Sequence, residues 1–453
     1  MFEVVVLAAG QSSRFKTGIP KVFHRLLDKP ILGYVLDTIE CIEPDRIHVV
    51  INPSMESEAS KLFGNEFHWV CQHEPHGTGH AFQQVLPHLQ EDSYVLIVTG
   101  DSPLLSTDIL KRAKLLAERE LVIVTANMEN PKGYGRIVRD NKGTVTSIVE
   151  DRDANESQQA ITEINSGIIG GPSNLIAELL RGATHANSQN EIYLTEIARL
   201  ATDRGEKVHT VAVEDPMEVL GINDRSQLAE VEQILLNRRR HKVMLVGTTL
   251  RDPLRFDLRG KLKTGIDCTI DVNVIIEGEV TLGDRTYIGP GCILRDVKIG
   301  DDVSIQAYSI LDSAIVGNRC SIGPFARIRP DTDIGEDSRI GNFVEIKNSK
   351  LGKHVRASHL AYLGDATLGD NVNVGAGAVT CNFDGQSKHE TIIGEDVFIG
   401  TNSTLVAPLY IEAESFIAAG STITHDVKER ALVVGRSRQR SIKRWNPPSR
   451  RKK

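Results

Sequence analysis

A turn of small residues, followed by two cations, closes the first apolar run of the chain. The turn is Leu7–Gly10 (Leu-Ala-Ala-Gly), and the cations are Arg14 and Lys21. Small residues let backbone amides approach phosphate oxygens, and the two cations add fixed positive charge. The turn matches neither the GxxxxGK[ST] phosphate loop nor the GxGxxG dinucleotide pattern. The chemistry that these residues indicate is phosphate binding.

Polar residues and glycines follow in order along the first half of the chain, and each has a plain structural alternative. Asp101 follows the strand-like run Tyr94–Val98, but an Asp at a strand end is more often a cap or turn residue than a metal ligand. Gly135 could only permit a turn, and Asn165 could be a satisfied buried amide. The whole ordered set favours a functional interpretation over these alternatives.

A second group of polar residues lies in the second half of the chain. Its members are Arg329, Lys347, His359, Tyr362 and Asn373. The two cations are suited to binding a phosphate, and His is suited to act as a general base near neutral pH. A lone His is more often a surface or packing residue. The other four polar residues of the group reverse that preference and favour a functional role for His359.

The elements that position this second group follow from a period of six. Aliphatic residues recur every six positions from about residue 270 to 424, as at Leu282, Ile288 and Leu294. Such a period indicates a solenoid of short strands, about eight triangular coils of ~18 residues counted from Leu282. One coil rises by ~4.8 Å, so we expect the five polar residues to lie along one edge. An interruption between Thr380 and Ile393 predicts a functional loop.

The first half alternates between strand-like and helix-like runs, which predicts an α/β domain with a mostly parallel sheet. Ligands bind at the carboxyl ends of the strands in such sheets. The predicted strands are Glu3–Ala8, Arg46–Ile51, Tyr94–Val98 and Leu121–Ala126. The predicted helices between them are Pro30–Ile42, Gly77–Leu89 and Ser106–Glu118.

Three regions follow from these patterns. Residues 1–224 form the α/β domain. Residues 225–249 form a linking helix, because Leu228, Val231 and Leu235 share one helical face. Residues 250–453 form the solenoid with a basic tail, in which no acid interrupts the cations from Arg436 onward. A solvated tail explains this composition, and contact of Arg436 with an anionic ligand is the sharper alternative.

The composition excludes several classes of protein. The formal net charge of −7 argues against a nucleic-acid binder. The six cysteines form no CxxC pair, which argues against a zinc site or a disulfide framework. The N-terminus lacks a basic segment, and no apolar stretch approaches the ~18 residues of a membrane span. We predict a cytoplasmic protein without a nucleic-acid or membrane partner.

The motifs of the first half, in their order, resemble those of the sugar nucleotidyltransferases, Rossmann-like enzymes that join a nucleoside triphosphate to a sugar 1-phosphate. They are LAAG-x(3)-R-x(5)-PK, Q-x(4)-GTGHA and GYGRI. The resemblance implies Mg²⁺ at Asp101 and Asn223. It implies a UTP and UDP-sugar site at Leu7, Ala8, Ala9, Gly10, Arg14, Lys21, Gln72, Gly77, Thr78, Thr99, Gly100, Asp101, Gly135, Glu150, Asn165 and Asn223. Ser12, Ser13 and Thr99 depart from the usual Gly, Thr and Tyr, which affects sugar packing more than the reaction.

The hexads resemble those of the left-handed parallel β-helix acyltransferases, and the left hand is implied by that resemblance alone. From about residue 2 to 436 the chain resembles the bacterial bifunctional N-acetylglucosamine-1-phosphate uridyltransferase/glucosamine-1-phosphate acetyltransferases. This family implies a homotrimer with shared acetyltransferase sites, which makes UDP-N-acetylglucosamine for cell-wall precursors. It implies His359 as the proton acceptor and glucosamine-phosphate contacts at Arg329, Lys347, Tyr362 and Asn373. It implies acetyl-CoA contacts at Ala376, Asn382, Phe383, Thr401, Ala419 and Arg436.

Two departures and two alternatives accompany this resemblance. Phe383 replaces a usual Tyr and Thr401 a usual Ser, so we expect altered CoA contacts with retained activity. One alternative is a uridyltransferase whose β-helix is only a trimerisation scaffold, but such a scaffold needs neither His359 nor the loop after Thr380. The other, a hexad binding protein, does not account for the phosphate turn or for Asp101.

Overall fold

The computed structural model describes residues 1–10, 13–183 and 187–445. Ser12 and the last cations of the tail lie outside the described residues. The chain divides into two compact units, Met1–Leu235 and Leu236–Lys453. The division falls within the helix Arg225–Leu245, which occupies most of the predicted linker.

The first unit is built on a mixed sheet. Its strands are β1 (Phe2–Leu7), β2 (Arg25–Leu26), β3 (Lys29–Pro30), β4 (Arg46–Ile51), β5 (His68–Cys71), β6 (Tyr94–Thr99), β7 (Leu121–Asn127), β8 (Arg136–Arg139), β9 (Val145–Val149), β10 (Glu163–Pro172) and β11 (Val208–Ala212). The central order is β11-β7-β10-β6-β1-β4-β5, while β8 and β9 extend from β10, and β2 pairs with β3 apart. Of the seven central strands, β10 alone runs antiparallel to its neighbours. The predicted mostly parallel sheet is therefore confirmed apart from β10.

Helices cover both faces of this sheet. In chain order the helices are α1 (Ile31–Glu40), α2 (Glu56–Phe63), α3 (Thr78–Gln83), α4 (Thr107–Ala117), α5 (Glu156–Gln159), α6 (Ser173–Leu180), α7 (Glu196–Asp203) and α8 (Arg225–Leu245), of which α5 and α8 contribute no residue to the two cores that flank the sheet. Short 3-10 turns lie at Ser13–Phe15, Lys21–Phe23, Pro53–Met55, Leu86–His88 and Pro216–Val219. Alternate residues of β1 enter opposite cores: Val4 packs with α1 and α4, and Val5 packs with α3, α6 and α7. Burial on both faces explains why β1 is uniformly apolar in its centre.

The predicted helix Gly77–Leu89 is shorter than expected. It divides into α3 and the 3-10 turn Leu86–His88, which contains Pro87. Proline lacks an amide hydrogen and its ring clashes with the preceding helical turn, so the helix cannot continue through it. The predicted strands and the other two helices agree with the structure to within two residues at each end.

The second unit is a stack of coils whose strands form three parallel sheets. Sheet I contains Thr249–Leu250, Thr269–Ile270, Tyr287–Ile288, Ser304–Ile305, Ser321–Ile322, Arg339–Asn342, Arg356–His359, Asn373–Val374, Phe398–Ile399, Phe416–Ile417 and Leu432–Val433. Sheet II contains Asp257–Leu258, Ile275–Glu277, Ile293–Arg295, Ile310–Asp312, Arg327–Ile328, Glu345–Lys347, Tyr362–Gly364, Val379–Cys381, Thr404–Val406 and Thr422–Ile423. Sheet III contains Lys261–Thr264, Glu279–Leu282, Lys298–Ile299, Ala314–Val316, Thr332–Ile334, Lys350–Leu351, Ala366–Leu368, Thr391–Ile393 and Leu409–Ile411. A 3-10 turn, Pro253–Arg255, precedes the first strand of sheet II.

The hexad residues form the inner ladder of this stack. Ile328, Ile346 and Leu363 are paired in register and are at most 1% exposed. The stack begins earlier than the count from Leu282 implied, because Thr249–Leu250 already pairs with Thr269–Ile270. The predicted interruption is present. The register partners Leu351 and Leu368 are 17 positions apart, whereas the next partners on the same sheet, Leu368 and Ile393, are 25 positions apart because the coil between them contains the extra loop. Among the described residues, no helix is both long and apolar enough to cross a membrane.

Candidate active sites

A cavity of about 200 Å³ opens in the first unit at the carboxyl ends of β1 and β6. Predicted residues that line it are Leu7, Thr78, Thr99, Asp101, Gly135, Glu150, Asn165 and Asn223. The sheet explains this convergence, because Leu7 and Thr99 are register partners at the ends of adjacent parallel strands. The Gly100 amide donates to the Leu7 carbonyl at 2.9 Å, which continues the pairing beyond the strands.

The small residues after β1 run from the sheet to the surface. Ala8 and Ala9 are buried, and the Ala8 amide donates to the Val50 carbonyl. Gly10 is exposed, and a Cβ at this position would meet no atom within 4 Å. Its backbone is therefore accessible to a ligand, which a phosphate-binding turn requires.

Two cations and two oxygen donors meet beside the cavity. Lys21 Nζ lies 2.5 Å from Asp101 Oδ2 and 3.3 Å from Asn223 Oδ1. Arg14 Nη2 donates to the same Asn223 oxygen at 2.9 Å. Asp101 and Asn223 thus present oxygens that reach one cation, and oxygens are the ligands that Mg²⁺ prefers. The pair would supply two oxygen ligands to a metal. No cluster of three or more His, Cys, Asp or Glu suited to a metal occurs among the described residues.

One wall of the site is fixed by close backbone packing. Gly77 adopts φ +100°, and a Cβ there would lie 2.5 Å from the Ile192 carbonyl oxygen, so only glycine fits. Thr78 Oγ1 accepts a hydrogen bond from the Leu194 amide at 3.0 Å. The buried Gln72 donates through Nε2 to the Gly77 carbonyl at 3.2 Å. The segment Q-x(4)-GT is therefore held as one rigid unit.

The three residues predicted to hold the sugar also lie together. The backbone amide of Asn165 donates to the backbone carbonyl of Gly135 at 2.8 Å. A Cβ on Gly135 would lie 3.5 Å from Glu150 Oε2. Burial raises the pKa of Glu150, while a hydrogen bond from Thr195 Oγ1 at 2.9 Å opposes the rise. This corner presents a carboxylate and an amide to a hydroxyl-rich ligand.

In the second unit, a cluster of cations lies at the end of sheet II. Arg329 follows Ile328 and Lys347 follows Ile346, its register partner, so the two cations occupy successive rungs. Arg329 Nη1 pairs with Glu345 Oε1 at 2.7 Å. Lys388, which the sequence interpretation missed, lies beside Lys347, and its hydrogen bond and then its positive charge lower the pKa of the Lys347 ammonium. Like charges held together disfavour each other's charged form, and their proximity indicates a site for an anion. In the sequence, only the position of Lys388 within the interrupting loop pointed to a functional role for it.

Asp365, in the coil before the loop, accepts hydrogen bonds from residues at both ends of the loop, Asn382 and Thr391. Asn348 Nδ2 donates to Asp365 Oδ1 at 2.5 Å, and Asn382 Nδ2 donates to Asp365 Oδ2. Burial alone would raise the pKa of Asp365, but these two donors and the nearby lysines outweigh it and lower the pKa. Phe383 is 61% exposed, so its ring is available to a ligand or to another chain.

His359 ends a strand of sheet I at the corner that leads into sheet II. Ala357, two residues before His359, pairs with Val374, which pairs with Ile399, which in turn pairs with Ile417. The residues two positions further along each strand are therefore stacked in one column: His359, Ala376, Thr401 and Ala419. The next coil contributes Arg436, whose Cδ would lie 3.9 Å from a Cβ on Gly420. Four predicted acetyl-CoA residues thus extend upward from His359.

The expectation that the five polar residues share one edge is wrong. Arg329 and Lys347 lie at the far end of sheet II, and Tyr362 lies at its near end. Asn373 is the register partner of Arg356 at the start of a sheet I strand, away from the corner that bears His359. A step of ~18 residues returns to the same place on the next coil, but the steps from Lys347 to His359 and from Tyr362 to Asn373 are shorter. The missing signal was the position of each residue within its hexad.

Comparison with known proteins bears on both units. The profile of the MobA-like NTP transferase domain matches residues 4–244. The GMPPB C-terminal domain matches residues 259–337, and the hexapeptide repeat of succinyl-transferase matches residues 390–425. Fold and sites together define a nucleotidyltransferase domain joined to a left-handed parallel β-helix of hexapeptide repeats, and the predicted fold class is confirmed.

Three relatives, each named "Bifunctional protein GlmU", match nearly the full chain. That of Marinobacter nauticus is 44% identical over 446 residues, 98% of each chain. Those of Stutzerimonas stutzeri and Alkalilimnicola ehrlichii are 44% and 43% identical, over 99% of this chain and 99% and 97% of theirs. The chain belongs to the bifunctional GlmU family of uridyltransferases and acetyltransferases, as predicted. A nucleotide and acetyl-CoA are the substrate classes that this family implies.

Proposed function

We propose that the cavity of the first unit transfers a uridylyl group from UTP to N-acetylglucosamine 1-phosphate. The observation that supports this best is the contact of Lys21 with Asp101 and Asn223 beside the cavity lined by Gly135, Glu150 and Asn165. Cations and oxygen donors stand where phosphates would enter, and the polar corner stands where a sugar would fit. The other predicted nucleotide contacts surround this centre.

The reaction needs positioning and charge neutralisation rather than a protein nucleophile. A phosphate oxygen of the sugar attacks the α-phosphorus of UTP and forms a new P–O bond. The bond from that phosphorus to the bridging oxygen breaks, and pyrophosphate leaves with the electron pair. Lys21 and Arg14 stabilise the negative charge on the phosphates. Asp101 and Asn223 would hold Mg²⁺, which would neutralise phosphate charge when bound.

The test of this assignment is pyrophosphate release from UTP and N-acetylglucosamine 1-phosphate as Mg²⁺ is titrated. Asp101→Ala should abolish the Mg²⁺-dependent release. Asp108→Ala is the matched control, because the Asp108 side chain is 78% exposed and pairs with Arg112 on its own helix. Wild-type turnover by Asp101→Ala would refute the assignment.

In the second unit we propose acetylation of glucosamine 1-phosphate by acetyl-CoA, the step that precedes uridylyl transfer. Arg329, Lys347 and Lys388 would bind the phosphate, with Tyr362 on the same sheet. The amine nitrogen attacks the thioester carbonyl, forming a C–N bond as the C–S bond breaks. His359 accepts the amine proton and returns it to the departing sulfur. Acetyl-CoA would lie along the column above His359, with Ala376, Thr401 and Ala419 leaving room and Arg436 near its phosphates. Asn382 and Phe383 of the loop would complete its contacts.

The test of the acetyl site is thiol release from acetyl-CoA in the presence of glucosamine 1-phosphate. His359→Ala should lose this release, whereas His425→Ala should keep it, because His425 is an exposed histidine hydrogen-bonded to its neighbour Thr424. Equal rates in the two variants would contradict the role of His359. Thiol release also separates the bifunctional enzyme from a uridyltransferase with a scaffold helix.

The position of Asn373 supports a homotrimer with shared sites. Asn373 is the register partner of Arg356 at the start of a sheet I strand, whereas His359 ends that strand, and we propose that a second copy of the chain supplies one of the two residues to a shared site. Mixing Asn373→Ala and His359→Ala chains should then restore acetyl transfer in sites that contain both wild-type residues. Absence of restoration in a mixed trimer would refute sharing between these residues.

The remaining assignments follow from the two activities. Residues 1–224 would carry uridylyl transfer, 225–249 would link, and 250–453 would carry acetyl transfer. The free cysteines and the need for UTP and acetyl-CoA favour the cytoplasm. Cell fractionation with an antibody to the chain would test this location.

A further inference from the structure

Asn342 and His359 are register partners at the ends of adjacent sheet I strands. Asn342 Oδ1 lies 2.6 Å from His359 Nδ1, and the Leu360 amide donates to the Asn342 carbonyl at 3.0 Å. The histidine is therefore tied to the coil below through both its ring and the backbone that follows it. Within the described part of the chain, the Asn342 oxygen is the one hydrogen-bond partner recorded for the His359 ring.

This contact decides which ring nitrogen can act as a base. An amide oxygen only accepts hydrogen bonds, so His359 Nδ1 must carry the hydrogen. In the neutral imidazole, Nε2 then keeps its lone pair. We propose that Asn342 is a positioning residue for acetyl transfer, which holds His359 in the tautomer whose Nε2 accepts the amine proton. The proposal rests on the role of His359 proposed above.

The local structure holds Asn342 in place. The preceding Gly341 lies so close to the next coil that a Cβ would be 1.9 Å from the Ser358 carbonyl oxygen. Only glycine permits this approach, and it fixes the spacing between the coils directly before the pair. Phe343 follows in the left-handed conformation, φ +57°, with its ring stacked on Phe325 at 5.3 Å. The residues before and after Asn342 are both held by close contacts, which fixes the backbone that carries the Asn342 side chain.

The use of an amide rather than a carboxylate has a chemical consequence. A carboxylate at this position would favour the imidazolium form and make His359 a base only at higher pH. A neutral amide orients the ring without adding charge. The same division of roles, a base oriented by a third group, underlies catalytic triads, including those that use Asn.

The experiment compares Asn342→Leu, Asn342→Asp and His359→Ala in the full-length protein. The readouts are kcat and KM for thiol release, with uridylyl transfer measured on the same preparations as a control for folding of the chain. Asn237→Leu is the matched control, because Asn237 also accepts a side-chain hydrogen bond, from Arg240, but lies on the helix α8. All four variants would be checked for the same oligomeric state as the wild type.

We expect Asn342→Leu to lower the acetyl-transfer kcat by about 10–100-fold with little change in KM, the scale found for groups that orient a ligand or base. Asn342→Asp keeps an acceptor, so it should exceed Asn342→Leu at high pH, and its acid limb in kcat/KM should move to higher pH. Adding Asn342→Leu to His359→Ala should cause no further loss, because the two act as a unit.

Each other outcome overturns a defined claim. Wild-type kcat in Asn342→Leu, with His359→Ala inactive, would remove the positioning role and leave the base. Equal losses in Asn342→Leu and Asn342→Asp, with unchanged pH profiles, would show a structural role only. Full activity in His359→Ala would instead refute the proposed function on which this inference rests.

Discussion

Lys21 Nζ lies 2.5 Å from Asp101 Oδ2, at the point where the phosphate turn meets the end of β6. The contact joins a residue of the first motif to the aspartate that follows β6, 80 positions further along the chain. It also brings Asn223 into reach of the same ammonium at 3.3 Å. A single cation therefore marks where the phosphates and their counter-charges would gather.

Replacing this cation tests its part in charge neutralisation. Lys21→Met should lower the uridylyl-transfer kcat by about 100-fold, the scale for loss of one preorganised electrostatic donor, because the phosphates lose a fixed charge. Lys29→Met is the control, since Lys29 forms an exposed pair with Asp37. Pyrophosphate release checks both variants, and a near wild-type kcat in Lys21→Met would count against the role.

The lysine pair on the β-helix should make phosphate binding sensitive to pH. Lys388 lowers the pKa of Lys347, so Lys347 loses its proton at a lower pH than an ordinary lysine. The KM for glucosamine 1-phosphate should therefore rise early as pH increases. Lys388→Met should raise KM near neutral pH by about 10-fold, one charge-assisted hydrogen bond, and should shift the alkaline rise to higher pH.

The control for this prediction is Lys298→Met, an exposed lysine on sheet III. Thiol-release kinetics between neutral and alkaline pH measure both effects. An alkaline rise at the same pH in wild type and Lys388→Met would show that Lys388 does not act on Lys347.

Glu150 should give the uridylyl reaction an acid limb. Burial raises the pKa of Glu150, so its carboxylate is lost at a higher pH than usual as the solution is acidified. The KM for N-acetylglucosamine 1-phosphate should rise through that range. Thr195→Val removes a hydrogen bond that lowers this pKa, and should move the limb to higher pH. Glu150→Gln should abolish the limb, and its persistence there would assign it to another group.

A buried pair at the other end of β1 should weaken the first unit in acid. His48 Nε2 lies 2.7 Å from Glu3 Oε2, and both side chains are fully buried. Burial lowers the pKa of His48 below 6.5, so its contribution is present above that unfolded value and is lost as pH falls below it. Burial alone would raise the pKa of Glu3, but its hydrogen bonds lower it overall, so its contribution is lost at still lower pH. The protection factors of β1 and β4 amides against hydrogen exchange, corrected for the intrinsic exchange rate at each pH, should fall below about pH 6.5.

Removing one partner of this pair gives a second measure. His48→Leu removes one hydrogen bond from the buried Glu3 carboxylate, which keeps the bond from the Gln90 amide, and should cost about 1–3 kcal/mol of unfolding free energy. The double variant Glu3→Leu/His48→Leu should cost less. A double variant as unstable as the sum of its single variants would show that the two side chains do not interact.

The sequence predicts a motif-bearing site well where the motif also fixes the backbone. Gly77 lies in a motif and adopts a backbone that only glycine fits, and Asp101 follows directly after a parallel strand. The period of six predicted the inner ladder from Ile328 to Leu363 for the same reason, since burial leaves little choice of residue. A local constraint of this kind limits which residue types can occupy a position, so it can be recognised from the sequence.

The rest depends on which residues the coil brings together. Lys388 was missed because its loop breaks the period, so spacing gave no measure of its position. Asn342 was missed because an Asn at a strand end has many uses, and its contact with His359 appears only when adjacent rungs are aligned. Asn373 was placed at the wrong end of sheet I because a repeat length predicts the coil to which a residue belongs but not its position along the strand.

Two activities at two separate sites are tested most directly by measuring both reactions on both single-site variants. Asp101→Ala should lose pyrophosphate release and keep thiol release, and His359→Ala should do the reverse. An equal mixture of the two variants should convert glucosamine 1-phosphate, acetyl-CoA and UTP into UDP-N-acetylglucosamine. Loss of both reactions in a folded variant, or of neither, would contradict the account.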